Sequence, residues 1–193
     1  MRFAIAVLLS GLVLESWGTV FGILLPFREK FIMERLPDED AVIRLLTSQH
    51  LESGSYFYPF ADVTLLTKSR DDPAWKALDE KHRKGPLVRV IYNKQGSPAF
   101  DPTNFLIGFI QYEISAMLLG CLLLLALPVL PTYGKRVGFA SLAGVFAAVA
   151  VQLSNPVWLH HPWEAELILA GSIVVGWVLS GMVLGWLIRP RSA

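Results

Sequence analysis

Two acidic residues, Glu15 and Glu113, stand inside long apolar runs of this 193-residue chain. A carboxylate at the centre of a membrane-spanning helix costs at least about 2.5 kcal/mol, so it faces protein or water rather than lipid. Glu15 lies within FAIAVLLSGLVLESWGTVFGILLPF, and Glu113 lies in a run that opens at Thr103. Counted from helix ends at Leu25 and Thr103, each carboxylate is ten residues in. At about 1.5 Å per residue both sit roughly 15 Å deep, near the midplane of a hydrocarbon core of about 30 Å. Consecutive membrane helices pack antiparallel, so the spacing predicts that the two carboxyls meet. At close range in a low dielectric they do not both ionise, and they share one proton or bind a cation. That chemistry is proton or cation coupling. The structural use of the same pair is two protonated glutamates hydrogen-bonded to Ser16, Thr19, Gln111, Tyr112 or backbone, tying helices together.

A second constellation is His160, His161 and Glu164, with Trp163 and Glu166 beside them. Histidine and carboxylate so close in sequence can ligate zinc, copper or iron. The spacing argues against it, because adjacent histidines in an extended loop point opposite ways and a complete ligand set would need His50 or His82. The simpler expectation is an interfacial loop with Glu164 and Glu166 in the first turn of a helix, where the helix dipole favours acids. A metal ion at this loop is thus the one cofactor the residues allow. The residues disfavour haem, since all four histidines fall outside the apolar segments. Cys121 is the single cysteine and reads as a small buried hydrophobe. The run Glu80-Lys-His-Arg-Lys84 reads as a basic last turn of a helix, with anionic lipid as the functional alternative.

The elements that must position these groups follow from hydropathy. Hydrophobic residues make up 53% of the chain, which is too apolar for an ordinary soluble domain. Four apolar segments emerge, at residues 3–27, 103–128, 136–153 and 164–188. Gly11, Glu15, Gly18 and Gly22 recur at helical spacing and share one stripe, which places Glu15 on a packing face. Gly18 to Gly22 and Gly181 to Gly185 are GxxxG motifs of the kind that let membrane helices approach closely. Residues 28–101 hold 12 of the 17 basic and 12 of the 16 acidic side chains. That polar segment is expected to alternate: a helix after Asp38, a strand at Tyr56-Phe57-Tyr58, a helix from Pro73 to Lys84, and a strand over Leu87 to Tyr92. The fold expected is therefore all-α membrane, a four-transmembrane-helix bundle with a small exported α+β cap between helices 1 and 2. Residues 1–27 form the first helix, 28–102 the cap and 103–193 the remaining three helices.

Arg2, Lys135, Arg136, Arg189 and Arg191 fall on one side of such a bundle, and the loop SNPVWLHHPWE has no Lys or Arg. The positive-inside rule then places both termini in the cytoplasm and residues 28–101 outside. The first segment reads as an uncleaved spanning helix, because it exceeds about 20 apolar residues, contains Glu15 and lacks a small-residue cleavage site. Without disulfides or glycosylation acceptors, the expected location is a bacterial inner membrane.

No P-loop, dinucleotide fingerprint or nucleophile motif occurs, and a net charge of +1 with no basic–aromatic patch argues against nucleic acid as a partner. Nothing positions a nucleophile with a base, so the reading leans away from an enzyme. Two function classes remain. One is a non-catalytic subunit or accessory protein of a larger membrane complex, with other membrane subunits as partners besides the bilayer. It rests on Gly181 and Gly185, which lie in the other half of the membrane from most glycines of helix 1 and are left for another chain. The other is a small proton- or cation-coupled transporter using Glu15 and Glu113.

Overall fold

The computed structural model describes residues 1–190, and Arg191 lies outside the described residues. The chain is mostly helical, with one two-stranded sheet. In order, the elements are α1 (Arg2–Thr19), α2 (Glu39–Ser48), β1 (Gly54–Tyr58), α3 (Val63–Leu66), α4 (Pro73–Lys84), β2 (Val88–Tyr92), α5 (Pro102–Ala126), α6 (Tyr133–Ala147), α7 (Ser154–Trp158) and α8 (Trp163–Leu187). Four continuous stretches are long and apolar enough to cross a membrane: Arg2–Leu24, Pro102–Val129, Tyr133–Trp158 and Trp163–Leu187. They support a multi-pass membrane protein. The third is longer than hydropathy suggests because α6 continues through a π turn, Ala148–Gln152, into α7. α1 likewise continues through a π turn, Val20–Leu24.

The chain divides into two compact units, Arg35–Ala99 and the remainder. In the smaller unit, β1 pairs antiparallel with β2, from Gly54 opposite Tyr92 to Tyr58 opposite Val88. α4 begins and ends where the sequence predicts. Asp72 accepts from the Ala74 N–H at 2.8 Å, Pro73 occupies the first turn, and Gly85 at φ 63° closes the helix. That N–H holds the Asp72 carboxyl below the usual carboxylate range, so the cap's contribution persists at neutral pH and is lost only as pH falls through that lowered value. In the last turn, Arg83 pairs with Asp79 at 2.7 Å and Lys84 with Glu80 at 2.6 Å, an ordinary solvated helix face. Asp62 caps α3, a short helix the sequence pattern does not announce. Leu78 and Pro59 are the buried residues of this unit among the described residues.

In the larger unit α1 packs on both α5 and α8, and α8 packs on α6. Each contact is antiparallel, as the order of touching residues shows. Along α1–α5 the pairs are Phe3 with Gly120, Gly11 with Glu113 and Glu15 with Gly108. Along α1–α8, Ser10 hydrogen-bonds to Ser180, and the Trp17 indole N–H donates to the Ser172 carbonyl at 2.9 Å. Along α6–α8, Gly185 meets Arg136 and Val137, Gly181 meets Ala140, and Gly144 meets Trp177. The buried apolar cluster Ala6, Leu119, Leu123, Ala140, Leu184 and Ile188 lies wholly at the end that carries Met1. Arg136 is buried there at 5% exposure. Its Nε donates to the Gly185 carbonyl at 2.8 Å and its Nη1 to Leu130 and Pro131 at 3.1 and 2.8 Å, satisfying carbonyls at the end of α8 and in the α5–α6 turn.

These contacts correct two expectations. Gly181 and Gly185 are not a free surface, since α6 occupies them within the same chain. Cys121 is exposed on its helix rather than buried. A Cβ added at Gly181 would sit 2.5 Å from the Ala140 Cβ. Gly181→Ala should therefore destabilise the α6–α8 contact by about 1–3 kcal/mol, the usual range for overpacking. Adding Ala140→Gly should recover most of the loss in a thermal unfolding series in detergent. An unchanged midpoint for Gly181→Ala alone would contradict the contact.

Candidate functional site

Glu113 projects from the middle of α5 into the slot that Gly11 leaves on α1. A Cβ at Gly11 would stand 2.1 Å from Glu113 Oε1, so only glycine admits the carboxyl. Oε1 is inaccessible and has no hydrogen-bond partner among the described residues. A buried carboxylate without a donor carries an uncompensated charge, whereas the acid form at that position needs far less. Glu15 makes the reciprocal approach, with its Oε2 3.9 Å from where a Gly108 Cβ would be. It lines a cavity of about 370 Å³ with Arg28, Asn104 and Tyr112. The Tyr112 hydroxyl in turn closes on Gly18, 3.1 Å from the site of a Cβ.

The structure thus brings Glu15, Glu113, Gly11 and Gly18 to one helix interface. It does not join the carboxyls by a hydrogen bond. Because Gly11 is level with Glu113 and Gly108 with Glu15, the two lie about one helical turn apart, roughly 6 Å along the axis. The equal depth expected from counting fails for a physical reason. The Asp101 cap, which accepts from the Thr103 N–H at 2.9 Å, sets where α5 begins but not its height against α1. The glycine slots set the height. Gly22 meets no side chain within 4 Å and instead borders the Glu15 cavity.

The histidine loop is built differently from the sequence expectation. His161 Nδ1 lies 2.7 Å from Glu166 Oε1, not at Glu164, which is exposed. Glu166 is 4% exposed and its other oxygen accepts from the Gln152 amide and from Asn155 Nδ2, the latter at 3.2 Å. His160 adopts φ 55° in the turn. Among the described residues no three His, Cys, Asp or Glu side chains gather to hold a metal. The group is a tie between the π turn Ala148–Gln152, α7 and the start of α8. The sequence sets Glu166 beside the histidines and in a first helical turn, without its amide partners. The signal passed over was the pair of amides, Gln152 and Asn155, in an otherwise apolar stretch.

Removing the Glu166 carboxylate leaves three polar partners without it. Glu166→Leu should cost about 1–3 kcal/mol in thermal unfolding, the range for unsatisfied buried polar groups. Glu166→Gln should cost less, because its amide oxygen still accepts. Equal stability of all three proteins would show that the tie contributes nothing.

Comparison with known proteins returns no matching protein family, no matching curated protein and no matching solved structure.

Proposed function

We propose that the protein is a small proton- or cation-coupled membrane protein in which Glu113 and Glu15 form the coupling site. The observation that carries this reading is the buried, unpartnered Glu113 oxygen in the Gly11 slot. A carboxyl held at membrane depth without a donor is suited to bear a proton and to release it only when something changes around it. Glu15, one turn nearer the end where α5 begins, lines the cavity with Arg28 and Asn104 and offers a stepping point toward that side. The subunit reading loses its motivating feature, because Gly181 and Gly185 are filled by α6. Membership of a larger complex, with other membrane subunits as partners, rests on no observed surface.

The proposal includes a location, the bacterial inner membrane, as a four-helix bundle with both termini cytoplasmic and residues 28–101 on the opposite side. Support comes from Arg2, Lys135, Arg136 and Arg189 at one end of the helices, against a 154–163 connection without Lys or Arg. Exposed Trp186 at one end and exposed Trp158 and Trp163 at the other suit the two membrane interfaces. Reporter fusions check the orientation. Alkaline phosphatase is expected to be active when fused at Gly96 and inactive at Gly134, and the reverse pattern would overturn it.

Glutamine keeps the shape of a protonated carboxyl but cannot release a proton. In proteoliposomes containing a trapped pH dye and driven by a potassium diffusion potential, the wild type is expected to carry proton flux above that of empty vesicles. Glu113→Gln should insert and fold normally yet return the flux to the empty-vesicle rate, with Glu15→Gln intermediate. Full flux in Glu113→Gln, or none in the wild type with sodium or potassium as co-ion, would refute coupling through this site.

A further inference from the structure

A larger cavity, of about 680 Å³, lies between α1, α5, α6 and α8, apart from the Glu113 slot. None of the buried cluster Ala6, Leu119, Leu123, Ala140, Leu184 and Ile188, at the end carrying Met1, lines it. Its lining includes the bulky side chains of Trp17, Phe21 and Trp177. Two of these helices also change winding there. Phe21 belongs to the π turn Val20–Leu24 and Gln152 to the π turn Ala148–Gln152, and both line the cavity. Single π turns within α-helices concentrate at functional sites.

The wall is mainly apolar, carries no charged side chain, and includes the polar groups of Gln111, Gln152 and Ser172. Two of those groups, Ser172 and Gln152, are oriented by bonds made behind the wall. Trp17 donates to the Ser172 hydroxyl oxygen at 3.1 Å, which leaves that hydroxyl's own proton to donate. Gln152 donates its amide to buried Glu166, which leaves its oxygen as an acceptor. A cavity of about 300–1,000 Å³ with apolar walls and a few fixed polar groups is the usual form of a small-ligand site. The absence of charge disfavours ions and zwitterionic headgroups, whose desolvation nothing here would offset.

We propose that this cavity binds a neutral lipophile bearing a hydroxyl head group, with Gln152, Gln111 and Ser172 recognising the head and the aromatic wall holding the chain. Glu166 acts as a positioning residue through Gln152. The site stands independently of the Glu113 reading, since no lining residue is a carboxylate.

The test uses the full chain in phosphatidylcholine nanodiscs and a monoacylglycerol carrying a diazirine in its acyl chain. Photolabelling followed by peptide mass spectrometry is expected to concentrate on residues 14–21 and 169–177. Unlabelled monooleoylglycerol should compete, whereas methyl oleate, which lacks the hydroxyls, should not. Ala147→Trp, which places an indole in the cavity, should abolish the specific label. Gln111 makes no side-chain hydrogen bond among the described residues, so Gln111→Leu should leave the fold intact and weaken competition about fivefold, one net hydrogen bond. Equal labelling of the same peptides by a diazirine-bearing phosphatidylcholine would show that an ordinary bilayer chain fills the space. That result, label scattered over the lipid-facing surface, or unchanged competition in Gln111→Leu would overturn the proposal.

Discussion

Close backbone approach at small residues is the constraint on which the helical unit depends. Between helices in lipid there is little hydrophobic driving force, so contact distance and complementary shape decide which helices associate. Gly181 against Ala140, Gly144 against Trp177 and Gly11 against Glu113 are the places where a Cβ would collide. They fix α8 on α6 and α5 on α1, while Ser10 with Ser180 and Trp17 with Ser172 fasten α1 to α8. The polar groups depend on those approaches. Arg136 reaches the Gly185 carbonyl because glycine at 185 leaves room for its stem, and Glu113 enters α1 because position 11 has no side chain.

Small residues and the Ala6–Ile188 cluster draw the helices together where the chain begins. Beyond that cluster, Trp17, Phe21, Tyr112 and Trp177 line a cavity together with the polar groups of Gln111, Gln152 and Ser172. Glu166 holds the turn between α6 and α8 to the first turn of α8.

What could be read from the residues was local. The apolar runs specify four membrane-length helices by length alone, and Asp72-Pro73 with Gly85 delimits α4 because capping involves only near neighbours. Of the glycine stripe, Gly11 meets Glu113 and Gly18 meets Tyr112, whereas Gly22 meets nothing within 4 Å. What could not be read was register and partner choice. Counting from helix ends sets Glu15 and Glu113 level, but the depth of α5 against α1 is set by side chains fitting glycine slots. Gly181 and Gly185 find their partners not on α1 but on α6, at Ala140 and Arg136. Arg136, counted as a topological charge, is also a buried hydrogen-bond donor, and Glu166 gathers residues from three elements that sequence spacing does not connect.

In the proposed coupling site, Glu113 rests in its glycine slot as a proton-bearing acid. Infrared difference spectroscopy on the reconstituted protein, comparing wild type with Glu113→Gln at neutral pH, addresses it directly. A protonated Glu113 gives a carboxylic-acid carbonyl band in the wild type that shifts in heavy water and is missing from the variant. A difference spectrum that instead shows loss of carboxylate bands, with no acid carbonyl, would mean Glu113 is ionised and would contradict the account.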